Sequence, residues 1–331
     1  MKTLNQVNIG RILSLVGAIV AVGAVSACAS SGGEQSATDY PNKNITVIVP
    51  FGAGGTTDAP TRAFAPCLEE ELGVSVIIEN REGGAGTIGV TKLIGSKPDG
   101  YTLGVVSPSS GVVAPLVTEN VDYGPDDVTP LGIMYETSSL LAVSSSSPYS
   151  SAEELFAAAK SKTIDIATPG ANTAYSFEIQ RLADEYGLKL QIIPFNDDAT
   201  VRTSVIGGNV DAMFSTAAPA TLELGSSGKL RLLASGGPER PKYIDDIPTL
   251  DELGYEGIVY SPTFFALAGP AGLSDQISKT VEGAIESCRA DEGVRKLIGE
   301  QFMKTDFVSG KEVAERMDTL QSTFKPLTQG G

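Results

Sequence analysis

Glycine and hydroxyl residues cluster where strands give way to helices, and that placement suits the capture of an anion. Gly52-Ala53-Gly54-Gly55 follows a β-branched run and leads into Thr56, Thr57 and Asp58. The first turn of a helix leaves backbone N–H groups without partners and carries a partial positive charge. Glycines let an incoming group approach that backbone closely. The stretch therefore offers half of an anion-binding mouth, with a plain tight turn as the alternative. Gly83-Gly84-Ala85-Gly86-Thr87 repeats the pattern, and Ser107-Pro108-Ser109 supplies a third polar loop. Further along, Gly170 to Thr173, with Tyr175 and Ser176, and Ser215-Thr216 read as the facing lip of a cleft.

Other chemistry is poorly supported. Gly84-Ala85-Gly86-Thr87-Ile88-Gly89 satisfies G-x-G-x-x-G, but a dinucleotide site also wants an acid about 20 positions on, and Val105-Val106-Ser107-Pro108 has none. A dinucleotide-binding oxidoreductase is a remote alternative. Gly52 to Thr57 lacks the Gly-Lys-Ser/Thr of a phosphate-cradling NTPase loop. The acid pairs Asp197-Asp198 and Asp245-Asp246 have no glycine-centred calcium loop around them and read as solvated. The chain contains no histidine, which removes the commonest general base and metal ligand. A binding protein with no cofactor and no metal is expected, not an enzyme.

Alternating strands and helices must position these loops. Strands are expected at 45–49, 74–79 and 101–106, each followed by one of the three loops and a helix. Such alternation argues for a mainly parallel sheet, with ligands off the carboxyl ends of its strands. Apolar strands at 129–135 and 138–143 follow, and Ser144-Ser145-Ser146-Ser147-Pro148 is the clearest polar break, taken as the first crossing between domains. Beyond it Ser151 caps a helix with Glu154 at the capping-box position. Strands at 163–168, 188–193, 210–214 and 230–234 build a second α/β domain. A strand at 263–268 returns to the first, and helices fill the C-terminal part. The expected division is 40–143 with 263–331 as one domain and 144–262 as the other.

The 331 residues carry a net charge of −16 and 41% hydrophobic residues, enough for packed cores and unsuited to nucleic acid. Residues 1–27 read as an export signal, with Lys2 and Arg11 before an apolar run too short to span a membrane. Val25-Ser26-Ala27-Cys28 resembles a bacterial lipobox, so Cys28 is expected to carry lipid, with 28–39 as a tether holding the protein at the outer face of the cytoplasmic membrane; an ordinary signal peptide with an incidental cysteine is the alternative. Two cysteines remain, Cys67 and Cys288. In an exported protein an even remainder favours a disulfide, with two buried thiols as the alternative.

Several ordered motifs together resemble the receptors of tripartite tricarboxylate transporters, the Bug family. They are the run from Tyr40 through Pro50-Phe51-Gly52 to Asp58, Glu79-Asn80-Arg81-Glu82-Gly83-Gly84, Lys97-Pro98-Asp99-Gly100-Tyr101, Ile206-Gly207-Gly208-Asn209-Val210-Asp211, Ile247-Pro248-Thr249-Leu250 and Ala268-Gly269-Pro270. The resemblance implies a two-lobed fold of the periplasmic-binding-protein kind (type II), closing on a small carboxylate held by backbone amides, hydroxyls and water. It also implies delivery to a permease of one large and one small membrane subunit by a monomeric receptor. By position, Gly54, Gly55, Thr56, Asp58, Gly84, Ala85, Gly86, Thr87, Ser107 and Ser109 form one lip, with Asp58 mainly organising its loop. Thr173, Tyr175, Ser176, Ser215 and Thr216 form the other. The second lip departs from the family at Tyr175, Ser176 and Phe195-Asn196-Asp197, so substrate identity does not transfer. A lipid-anchored sensor or protein-interaction module on the same fold is the runner-up.

Overall fold

The computed structural model describes residues 40–256, 263–303 and 306–328. The expected export signal and lipobox, residues 1–39, lie outside the described residues. Strand β1 (Ile45–Val49) follows from its β-branched run and is buried on both faces, as a central strand must be. It lies between β2 (Val76–Asn80) and β3 (Thr102–Val106), parallel to both. Two antiparallel strands, β10 (Thr263–Pro270) and β4 (Val128–Thr137), complete a sheet of order β2-β1-β3-β10-β4. The second sheet has the same plan. Parallel β7 (Leu190–Pro194), β6 (Ile164–Thr168) and β8 (Ala212–Thr216) are followed by antiparallel β5 (Ser139–Ser144) and β9 (Leu230–Ser235), in the order β7-β6-β8-β5-β9. Each sheet is thus mixed, with its parallel half on one side.

The placement of β5 corrects the expected boundary. Its partners are β8 and β9 of the second sheet, so the first crossing falls at Ser138 and not in the serine-rich stretch after residue 143. That stretch is only the turn ending β5. The true crossing is short and stays buried: Ser138 N–H donates to the Tyr243 hydroxyl (3.0 Å), and Ala217 N–H donates to Ser138 O (2.8 Å). Apart from Ser138, a short β4 to β5 connection leaves no loop composition to read.

Helices α1 (Asp58–Leu72) and α2 (Thr87–Ile94) flank the first sheet, and α4 (Ala152–Ala159), α5 (Ala174–Tyr186), α6 (Asp198–Ile206) and α7 (Pro219–Ser226) the second, while the short α3 (Ala114–Val117) packs its Leu116 against the core of the second lobe. Ser151 accepts from Glu154 N–H at the start of α4, as its sequence pattern predicts. The C-terminal part adds α8 (Asp275–Ala290), α9 (Glu292–Ile298) and α10 (Gly310–Thr328). Cys67 on α1 and Cys288 on α8 are joined as a disulfide, Cα to Cα 5.7 Å. Val313 and Met317 of α10 pack in the core of the first lobe, while its Phe324 is buried in the core of the second. The last helix therefore belongs to both lobes, not to the first alone.

Because β1, β2 and β3 run parallel, their three following loops share one edge, and the loops after β6, β7 and β8 share the corresponding edge of the second sheet.

Candidate solute-binding cleft

Loops from both sheets close on a cavity of about 40 Å³. The β1–α1 loop contributes Phe51, Gly52, Gly55, Thr56 and Thr57, and the chain after β3 contributes Ser107 and Ser109. Pro169, Thr173 and Tyr175 come from the start of α5, and Asn196, Asp197 and Asp198 from the start of α6. Thr216, at the end of β8, and Phe265 complete the lining.

Asp58 organises the first loop and does not reach the cavity. Its carboxylate is buried and accepts from Gly54 N–H (2.8 Å), Arg62 Nε (2.8 Å) and Asn80 Nδ2 (2.8 Å), while Asn80 also donates to Phe51 O. Burial pushes the Asp58 pKa up, but these three donors outweigh it and hold the carboxyl below its ordinary value of 3.8. Gly54 sits at φ 77°, so a side chain there would strain the turn that delivers its N–H to Asp58.

The Gly83–Thr87 loop is a second support. Gly84, Ala85, Gly86 and Thr87 do not line the cavity. A Cβ at Gly86 would lie 2.7 Å from Ser110 Cβ, and one at Gly89 2.7 Å from Pro50 Cα. The G-x-G-x-x-G spacing thus serves close packing of this loop against the first, and the pattern needs no dinucleotide. Gly170 of the other lobe faces Ala85 across the rim.

The second lobe presents the N-terminus of α5. Thr173 caps it, accepting from Ser176 N–H, and Ala174 N–H donates across the cleft to Ser109 Oγ (3.1 Å). Tyr175 OH and Thr216 Oγ1 are paired at 2.6 Å. Ser176 turns inward to Gly170 O (2.5 Å) and Thr168 Oγ1 (2.6 Å), which takes it out of the lining. Ser215 is also behind the wall, donating to Asp198.

Asp198 is the residue that sequence reasoning passed over. Read there as a solvated acid, it is buried, 7% exposed, and it accepts the hydroxyls of Ser215 and of Thr56 from the opposite lobe. Its position carries the signal: it stands beyond the carboxyl end of a strand at the start of a helix, as Thr173 and Tyr175 do in the same lobe. Asp197 caps α6, accepting from Thr200 N–H (2.7 Å), and so has an ordinary structural role. Among the described residues no group of three or more acids, histidines or cysteines could hold a metal ion.

Two α/β lobes that meet through hydroxyl-lined strand ends define a periplasmic-binding-protein-type receptor. The family model described as the tripartite tricarboxylate transporter family receptor matches residues 61–321, and the chain belongs to that family of solute-binding receptors. It is 30% identical to protein BugT of Bordetella pertussis over 276 residues, 82% of each chain. The fold is shared with MatC of Rhodopseudomonas palustris with bound malate, at 22% identity and a TM-score of 0.78 over 87% of this chain and 100% of that one. A second R. palustris structure, with adipate, gives 23% identity and a TM-score of 0.80 over 88% of this chain and 98% of that one.

Proposed function

We propose that this receptor captures a small carboxylate-containing solute between its lobes and delivers it to a tripartite permease of one large and one small membrane subunit, held by lipidated Cys28 at the outer face of the cytoplasmic membrane. The observation that carries the reading is the Ala174 N–H to Ser109 Oγ contact: a helix N-terminus aims its first donor at the opposite lobe, where a solute oxygen would take the same place. Gly55, Thr56, Ser107, Ser109, Thr173, Tyr175 and Thr216 are the proposed solute contacts, with Gly54, Asp58, Gly84, Ala85, Gly86, Thr87, Ser176 and Ser215 holding their loops. The malate and adipate of the two structural neighbours support a carboxylate solute.

Hydrogen bonds to a charged group contribute on the order of 1.5–3 kcal/mol each, so four or five approach the roughly 8 kcal/mol of a micromolar site without a buried cation. Asp198 adds a preference. An acceptor on the cleft wall favours a solute that carries a hydroxyl or amino donor beside its carboxylate. Thermal-shift titration with paired acids, malate against succinate and aspartate against succinate, should find stabilisation, greater for the donor-bearing member. A panel of such acids that leaves the melting temperature unmoved, with no small molecule co-purifying in native mass spectrometry, would overturn the proposal.

A further inference from the structure

Next to the cleft, on the far side of the β1–α1 loop residues Gly55 and Thr56, lies a larger cavity of about 190 Å³. Gly55, Thr56 and Thr216 form the partition, lining both spaces. The walls are largely apolar, with Pro60, Tyr135, Ile298 and Phe302 among them. At the rim stand the exposed residues Ala220 and Leu297, the latter 71% exposed and one of the few large apolar side chains of the described residues left in water. Into this apolar surround α6 brings Arg202, which is only 9% exposed and whose Nη1 is buried with no hydrogen-bond partner. The acid one helical turn earlier, Asp198, is already engaged by Thr56 and Ser215.

A guanidinium stays protonated, and leaving one of its nitrogens buried and unpartnered is costly. Apolar walls and a buried cation together describe a ligand with an apolar body and one anionic end. A cavity of about 150 Å³ suffices for benzene, so this one has room for an aromatic ring with a carboxylate. We propose that the rear cavity is a binding site for an apolar monocarboxylate, whose carboxylate pairs with Arg202 while its hydrocarbon part lies against Pro60, Ile298 and Phe302. The site is separate from the front cavity and stands whether or not that cavity holds the transported solute.

Isothermal titration of the purified protein with benzoate, and with its neutral counterpart benzamide, tests this. Benzoate should bind, at least roughly tenfold more tightly than benzamide, and Arg202→Gln should erase that difference. Ala220→Phe, at the exposed rim, should abolish benzoate binding while keeping the wild-type melting temperature and any thermal shift caused by a front-cleft solute. It keeps the test decisive should Arg202→Gln fail to fold. No benzoate binding at millimolar concentration, equal affinity for benzoate and benzamide, or benzoate binding undiminished in Ala220→Phe would each overturn the proposal. Failure of the carboxylate panel at the front cleft would leave these results untouched.

Discussion

Asp58 does its work one shell away from the cleft. It fixes Gly54 N–H, Arg62 and Asn80 at once, and Asn80 in turn holds Phe51 O, so one carboxylate sets the path of the loop that lines the cavity. Its pKa is lowered in the folded protein, which means that the unfolded chain takes up the proton first as pH falls. The stability it contributes is therefore complete above its ordinary value of 3.8 and is lost as pH drops through the lower folded-state value. Asp58→Asn should cost roughly 1–3 kcal/mol at neutral pH, because the remaining amide satisfies its donors poorly. The wild type's advantage over the variant should shrink toward zero below pH 3.8. Urea unfolding of both proteins at several pH values measures that difference. A gap that stays constant down the acid limb would show that the charge of Asp58 is not what holds the loop.

The elements follow the written pattern closely because strands and helix starts here depend on local chemistry. Val47, Ile48 and Val49 make a buried strand, Pro50 ends it, and glycines turn the chain. The crossing at Ser138 was illegible for the converse reason. Nothing local marks a hinge whose polar residues are buried and satisfied by Tyr243 and Ala217, which are distant in sequence. Likewise the glycines after β2 read as a ligand lip, when the contact they serve, Gly86 and Gly89 against Ser110 and Pro50, exists only after folding. The disulfide links two elements 221 residues apart and ties α1, which starts at the cleft loop, to the C-terminal α8. Cross-linking so long a loop restricts the unfolded chain and is worth about 2–4 kcal/mol. The double variant Cys67→Ser, Cys288→Ser should lose that much in urea unfolding, and wild type with reductant should match it. Equal midpoints for the oxidised protein and the variant would refute the stabilising role of the bond.

Across the whole molecule, the state described is closed. The cavity of about 40 Å³ is far smaller than the roughly 150 Å³ that takes a benzene ring, so the lobes must part to admit a carboxylic acid of that size. Among the described residues, the contacts across the cleft that oppose that parting include Thr56 Oγ1 to Asp198, Ala174 N–H to Ser109 Oγ, and Asn172 Nδ2 to Thr118 Oγ1. Only the first involves a charged acceptor, and such a bond contributes on the order of 1.5–3 kcal/mol. Losing it should move the equilibrium between closed and open forms by at least roughly tenfold toward the open one. Thr56→Val removes the hydroxyl and keeps the volume, while Ser215 still serves Asp198. Small-angle scattering should therefore find a larger radius of gyration for Thr56→Val than for wild type in the absence of solute. Saturating solute should bring the variant back to the closed value, because a ligand touching both lobes favours the form in which both contacts exist. The same radius in the two proteins would place the resistance to opening elsewhere, in the buried crossing at Ser138 or in α10, whose two halves are anchored in different cores.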